Sequence, residues 1–186
     1  MRVVGGTLAG RVIACPPGMS TRPTLDRVRE ALFNVLARRV AGAAVLDLYA
    51  GSGALAIEAL SRGAAQADVV EKSRRAAAVL RCNLAVLALA DRATVWRLPA
   101  ERAVSRLAPA SFDLIFLDPP WQAGVGAAVW AAIPQLLRPG GLAVLEYEGA
   151  AGARGLPSSE GGEDGGMVVV DQRRYGRTAL ALLAKR

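Results

Sequence analysis

The sequence predicts an α/β fold: a mostly parallel seven-stranded sheet with helices on both faces, an antiparallel C-terminal hairpin, and a small basic N-terminal extension. Three observations carry this. From Ala43 onward, short apolar runs alternate with stretches of helical periodicity, the pattern of repeated strand–helix units. Glycines and capping residues stand at the joints between them. The last two apolar runs flank Tyr175-Gly176 with no helical stretch between them, so they pair antiparallel.

The elements follow in order. The opening residues alternate loosely and carry Gly5-Gly6, Gly10 and Pro16-Pro17-Gly18, which reads as a basic hairpin and a turn. Thr24 is placed to cap a helix running to about Arg38, with Asp26 near its positive end and Leu25, Val28, Leu32 and Val35 on one stripe. Residues 1–40 are therefore an extension, and 41–186 a catalytic core within the same domain. The core reads as strands at Ala43–Tyr49, Ala67–Glu71, Thr94–Arg97, Phe112–Asp118 and Leu142–Glu146. Helices fall at Ala54–Arg62, Ser73–Leu87, Ala100–Leu107 and Val125–Leu137. Gly63 suits the end of the first of these helices and Ser73 the start of the second. Residues 149–166 are dense in Gly, Ser, Ala and acids and read as a mobile loop. Met167–Arg174 and Thr178–Ala184 then form the hairpin.

Composition narrows the chemistry. The 186 residues contain no histidine, which removes the usual general base, the serine and cysteine systems that depend on it, and the commonest metal ligand. Cys15 and Cys82 lack the paired spacing of a metal or redox site and read as buried or half-buried thiols; no metal is expected. No apolar run approaches a membrane span and no export signal opens the chain, so a soluble cytoplasmic protein is expected; separately, it is read as a monomer. A formal charge of +7, carried mainly by arginine, suits a polyanion, although a basic housekeeping fold has the same balance. Arg2, Arg11, Arg22, Arg38 and Arg39 in the extension are the candidate nucleic-acid contacts.

Two motifs carry chemistry. Asp47-Leu48-Tyr49-Ala50-Gly51-Ser52-Gly53 is a buried strand running into a glycine turn and a helix, at the edge where doubly wound sheets bind ligands. Glu71 ends the next strand, where a carboxylate can accept from both hydroxyls of a ribose; pairing with Lys72 or Arg74 is the bland alternative. No Gly-x-x-x-x-Gly-Lys-[Ser/Thr] loop is present, which favours an adenosine group without a polyphosphate. The second motif, Asp118-Pro119-Pro120-Trp121, ends a buried strand. Its prolines remove two N–H donors, so Asp118 and the neighbouring carbonyls offer only acceptors. Such a turn suits the exocyclic amine of a base, whose lone pair it would draw out of the ring system while Trp121 stacks on the base.

Together these residues resemble the class I, Rossmann-like methyltransferases that act on nucleic-acid amines. Further segments, Arg2-Val3-Val4-Gly5-Gly6, Arg22-Pro23-Thr24-Leu25-Asp26-Arg27-Val28-Arg29-Glu30-Ala31-Leu32-Phe33-Asn34, Glu58-Ala59-Leu60-Ser61-Arg62-Gly63-Ala64 and Tyr175-Gly176, make the chain similar to the bacterial small-subunit ribosomal RNA guanine-N2 methyltransferases. The resemblance implies S-adenosylmethionine as donor, S-adenosylhomocysteine as product, and a guanine of 16S ribosomal RNA as target, on the small subunit or an assembly intermediate. It implies that Asp47, Tyr49, Gly51, Ser52, Gly53, Glu71, Lys72, Ala100 and Asp118 hold the cofactor. Asp118, Pro119, Pro120 and Trp121 would form the catalytic turn. Trp121 stands where Tyr or Phe is more usual, and Leu98-Pro99-Ala100-Glu101 lacks an acid often found near the adenine. The rivals are a DNA adenine-N6 or cytosine-N4 methyltransferase, a ribosome-assembly binding protein, and a nicotinamide dehydrogenase. The last is disfavoured because the later glycine of a dinucleotide fingerprint is missing.

Overall fold

A computed structural model describes residues 1–16, 23–149 and 166–185. Its strands are β1 (Ala44–Asp47), β2 (Gln66–Val70), β3 (Ala93–Trp96), β4 (Phe112–Leu117), β5 (Leu137–Glu148), β6 (Met167–Tyr175) and β7 (Thr178–Lys185). They form one sheet in the order β3-β2-β1-β4-β5-β7-β6. The pairings from β3 across to β5 are parallel, and β7 is antiparallel to both β5 and β6. The helices are α1 (Pro23–Val35), α2 (Ala37–Val40), α3 (Ala54–Ser61), α4 (Arg74–Val86), α5 (Ala100–Ala103) and α6 (Ala127–Leu136). The predicted Rossmann-like class is the one observed.

Side-chain alternation along the central strands divides the core into two layers. Val45 of β1, Leu114 and Phe116 of β4, and Leu180 and Leu182 of β7 face α1, α3 and α4. Leu46, Ile115, Leu117, Ala181 and Leu183 face α5 and α6 on the other side. Strands covered on both faces read as unbroken apolar runs, as Phe112–Leu117 does.

The N-terminal segment is part of this core. Val3 and Ile13 are fully buried in the first layer, and Arg2 pairs antiparallel with Val12. Gly6 explains the tight docking: at φ +76°, a Cβ there would lie 2.0 Å from the Ser61 carbonyl oxygen at the end of α3. Only glycine permits that approach.

Several boundaries differ from the sequence reading. α1 begins at Pro23, so Thr24 lies inside the first turn instead of capping it; proline's fixed φ suits the first helical position. The expected helix to Arg38 is broken at Leu36, which joins α1 to the short α2. β1, β2 and β4 stop one or two residues early, leaving Tyr49, Glu71 and Asp118 just beyond the strand ends. There the chain leaves its ladder, as when the Ala50 amide reaches the Val70 carbonyl at 3.0 Å. α5 stops at Ala103 and does not reach Leu107; shortly after, the Ser105 hydroxyl bonds back to the Arg102 carbonyl. β5 is longer than the expected Leu142–Glu146 and is irregular opposite Phe112 and Leu114. Cys82 is exposed on α4, so the reading of two covered thiols holds for Cys15 alone. The predicted loop at 149–166 lies mostly outside the described residues, as does Arg22. Among the described residues, no helix is long and apolar enough to cross a membrane.

Candidate active site

β1 and β4 are neighbours in space, with Asp47 opposite Phe116, but their connections leave in opposite directions across the sheet. This reversal opens a crevice at their carboxyl ends. After Asp47 the chain turns through Leu48–Gly53 into α3. Gly53 takes φ +83° at the start of that helix, and a Cβ there would lie 2.3 Å from a methyl of Leu80 on α4. The Gly51 amide donates to Glu71 Oε2 at 2.9 Å, and Glu71 Oε1 accepts from the Ser73 amide at 2.6 Å. Glu71 therefore ties the glycine turn to the start of α4, which Ser73 caps by accepting from the Ala76 amide. Ion pairing with Lys72 or Arg74 is not seen for it among the described residues. Each carboxylate oxygen keeps a further lone pair for a ligand.

Two chambers open at this edge. The first, about 520 Å³, is lined by the glycine turn at Gly51, by Glu71, Lys72 and Ser73, by Leu98, Ala100 and Glu101, and by Pro119 and Pro120. The second, about 350 Å³, is lined by Met1, Arg29, Leu32, Asp47, Ser52, Leu55 and Glu146 among others. Tyr49, Asp118 and Trp121 line both, so the Asp-Pro-Pro-Trp turn is the partition. The predicted cofactor residues are thus divided. Gly51, Glu71, Lys72 and Ala100 face the first chamber, Asp47 and Ser52 face the second, and Tyr49 and Asp118 face both. Gly53 lines neither and acts as the buried cap of α3.

The electrostatics of the partition are unusual. Asp47 is buried, and neither of its oxygens has a hydrogen-bond partner among the described residues. Burial, with Asp118 adding repulsion, raises its carboxyl to about 7; the nearby Ala56 and Tyr49 amides offset only part of that. Burial also raises Asp118 to about 6. Glu146, near the end of β5, rises to about 8, mainly by burial and then by repulsion from Asp118, against the pull of Arg29. The Tyr49 hydroxyl is likewise buried without a partner, and burial raises it to about 12. The site therefore holds buried polar groups without partners, and carboxyls that stay protonated unusually high in pH.

Those features belong to a known architecture. The family model described as conserved hypothetical protein 95 matches residues 1–184. A Bacillus subtilis protein named a candidate rRNA methyltransferase, YlbH, is 37% identical over the full length of both chains. The chain belongs to the ribosomal RNA small subunit methyltransferase D family. The Escherichia coli protein of that name is 42% identical over 127 residues, covering 67% of this chain and 62% of that one. A solved structure from Escherichia coli, a candidate methyltransferase called yhhF, superposes with a TM-score of 0.81 at 30% identity, covering 100% of this chain and 98% of that one.

Within this methyltransferase family fold, sequence reasoning missed the lining of the second chamber. Arg29 comes from α1, within the segment 22–34 that carries the resemblance but with no role read for it, and Glu146 comes from β5, outside any motif. Arg29 is 5% exposed and bonds Asp26 at 2.9 Å and the Arg2 carbonyl. The N-terminal hairpin that brings Met1 to this chamber is held by buried polar side chains. Glu58 Oε2 accepts from the Val4 amide at 2.8 Å, and Asn83 exchanges two 2.9 Å bonds with the Ala14 backbone. Their signal was available: Glu58, Ser61 and Asn83 are polar residues on otherwise apolar helix faces.

Among the described residues, the arginines predicted to contact nucleic acid do not form one patch. Arg39 donates to the Gly140 carbonyl at 2.9 Å, ahead of the parallel part of β5, and Arg38 is exposed beside it; both lie at the edge of the sheet opposite the chambers. Arg2 and Arg11 are exposed on the hairpin, bonded to the Gly10 and Val86 carbonyls. No cluster suited to a metal ion occurs among the described residues.

Proposed function

We propose that this chain transfers a methyl group from S-adenosylmethionine to the exocyclic N2 amine of a guanine in 16S ribosomal RNA. The observation that carries this reading is the Asp118-Pro119-Pro120-Trp121 turn standing between two chambers, with the donor's ribose and adenine end in the first and its ammonium end at Asp47 in the second, beside the place for the acceptor base. The names of its relatives, rRNA methyltransferases over the whole or most of the chain, point to the same substrate.

The residues fit the donor. Asp47 presents two buried, unpartnered carboxylate oxygens, which an ammonium group would satisfy. Glu71 and Lys72 would hold the ribose end of the first chamber, with Leu98 and Ala100 against the adenine. When bound, S-adenosylmethionine supplies an electrophilic methyl group and leaves as S-adenosylhomocysteine. The protein's own part is positioning and charge. Asp118 and the Pro119 carbonyl accept the two N–H groups of the amine, localising its lone pair, while Trp121 stacks on the base. With the amine held there, transfer from a bound donor would be direct and would need no covalent enzyme intermediate. The proton released from the methylated nitrogen passes to the Asp118 carboxylate and on to water. Acceptors aimed at the developing positive charge supply much of the rate. The chain works as a cytoplasmic monomer on the small subunit or an assembly intermediate.

The test is to map methylated nucleotides in small-subunit ribosomal RNA with and without the gene, and to supply purified protein and labelled donor to the undermethylated subunits. One guanine should lose its N2 methyl group and regain it. Labelling of DNA, or of a different base position, would replace this reading.

A further inference from the structure

The β6–β7 turn stands at the same edge of the sheet as the chambers, because β5 ends at Glu148 opposite Thr178, the first residue of β7. Two residues, Gly176 and Arg177, close this turn, and the Gly149 amide holds it to the end of β5 through a 2.8 Å bond to the Arg177 carbonyl. Arg177 lies with its guanidinium carbon 5.7 Å from the centroid of the Trp121 ring. The same group is 2.6 Å from Glu148 and is 75% exposed. Arg174, also exposed, donates to the Gly176 carbonyl at 3.0 Å. Trp121 itself is 39% exposed, high for an indole, and forms part of both chamber walls.

We infer that this turn is the phosphate grip for the RNA strand carrying the target base, with Arg177 and Arg174 binding phosphates next to the nucleotide that stacks on Trp121. The inference rests on the catalytic reading above and adds the surface that delivers the substrate. Guanidinium groups match phosphate oxygens in geometry and charge. An exposed pair such as Arg177 with Glu148 is weak, so a phosphate can take the arginine outward from that carboxylate. A base on the indole face also replaces a cation–π contact with a stronger stack. Position separates this turn from Arg38 and Arg39 of the extension. Arg38 and Arg39 lie at the opposite edge, about 20 Å away along a six-residue strand. A grip there would not hold the nucleotide entering the chambers.

The experiment measures binding of small-subunit ribosomal RNA and of undermethylated small subunits across a salt series. For R174A/R177A, the slope of log affinity against log salt on protein-free RNA should fall in magnitude by about 1–2, while R38A/R39A leaves it unchanged. Arg177→Lys keeps the charge and should keep the slope. An unchanged slope for R174A/R177A overturns the grip, as does a fall seen only with R38A/R39A. Lost affinity for subunits with an unchanged slope on free RNA would mean that the turn docks on a protein, which also overturns it. Wild-type methyl transfer to the same subunits is followed in parallel. Its absence would sink the catalytic reading, and the slopes would still decide the grip.

Discussion

The two chambers on either side of Asp118 are built by different means. The first is assembled from the ends of β1, β2 and β4 and the turns that follow, so its lining falls in short stretches such as Leu48, Tyr49 and Gly51, Val70–Ser73 and Asp118–Trp121. The second draws Met1 from the hairpin, Arg29 and Leu32 from α1, Leu55 from α3 and Glu146 from β5. One is fixed by turn chemistry that is local in the chain. The other adds to the same two turns residues that reach it only because distant elements pack together, and its integrity depends on buried polar pairs that join elements far apart in the chain.

If that contrast is right, the largest effect on stability comes from the second chamber's support. Glu58 is fully buried and bonds Arg62 at 2.7 Å as well as the Val4 amide, with Arg29 at 3.5 Å. Glu58→Ala should cost ~3–5 kcal/mol in denaturant unfolding, since it leaves covered arginine and amide groups without a partner. An effect under about 1 kcal/mol would mean that the hairpin is not anchored there.

At the partition the loss should appear in rate and leave the fold nearly intact. Asp118→Ala is expected to slow single-turnover methyl transfer about a hundred- to a thousandfold, ~2.7–4 kcal/mol, with cofactor affinity close to wild type in calorimetry. Near wild-type transfer would remove Asp118 from the mechanism.

On the first chamber's side, Gly53→Ala puts a Cβ at φ +83° into the Leu80 methyl. We expect ~1–3 kcal/mol of destabilisation and weaker cofactor binding, because the displaced turn carries the Gly51 amide held by Glu71. Stability loss without any change in affinity would show that the turn and the chamber are separable.

A smaller effect distinguishes the chambers by pH. Asp47, Asp118 and Glu146 have folded values near 7, 6 and 8, all above their ordinary ones. The folded state therefore binds these protons more tightly than the unfolded chain, and stability falls as pH rises from about 4 to about 8. The melting temperature should drop by several degrees over that range without ligand. Glu146→Gln should flatten the upper part of the drop, and an identical profile would mean that Glu146 is well solvated. Smallest of all, Trp121→Phe keeps a π face and should change transfer less than tenfold, whereas Trp121→Ala loses the stack, worth ~1–3 kcal/mol.

By itself, the sequence determined the sheet class, the two chemical turns and the position of the C-terminal hairpin. Those features depend on interactions between near neighbours. Apolar alternation sets which residues enter a strand, glycines set where the backbone turns back, and two prolines stop a strand at Asp118 whatever surrounds it. Tertiary structure decided the rest. It turned the N-terminal extension into part of the core by placing Gly6 against Ser61 and Asn83 against Ala14, and it separated Arg38 and Arg39 from the edge where the chambers open. It also brought Arg177 onto Trp121 and Glu146 beside Asp118. A charge or a polar side chain carries no period that reveals its partner. Its role becomes visible only when the strand order is known, because that order selects which strand ends, far apart along the chain, share one edge of the sheet.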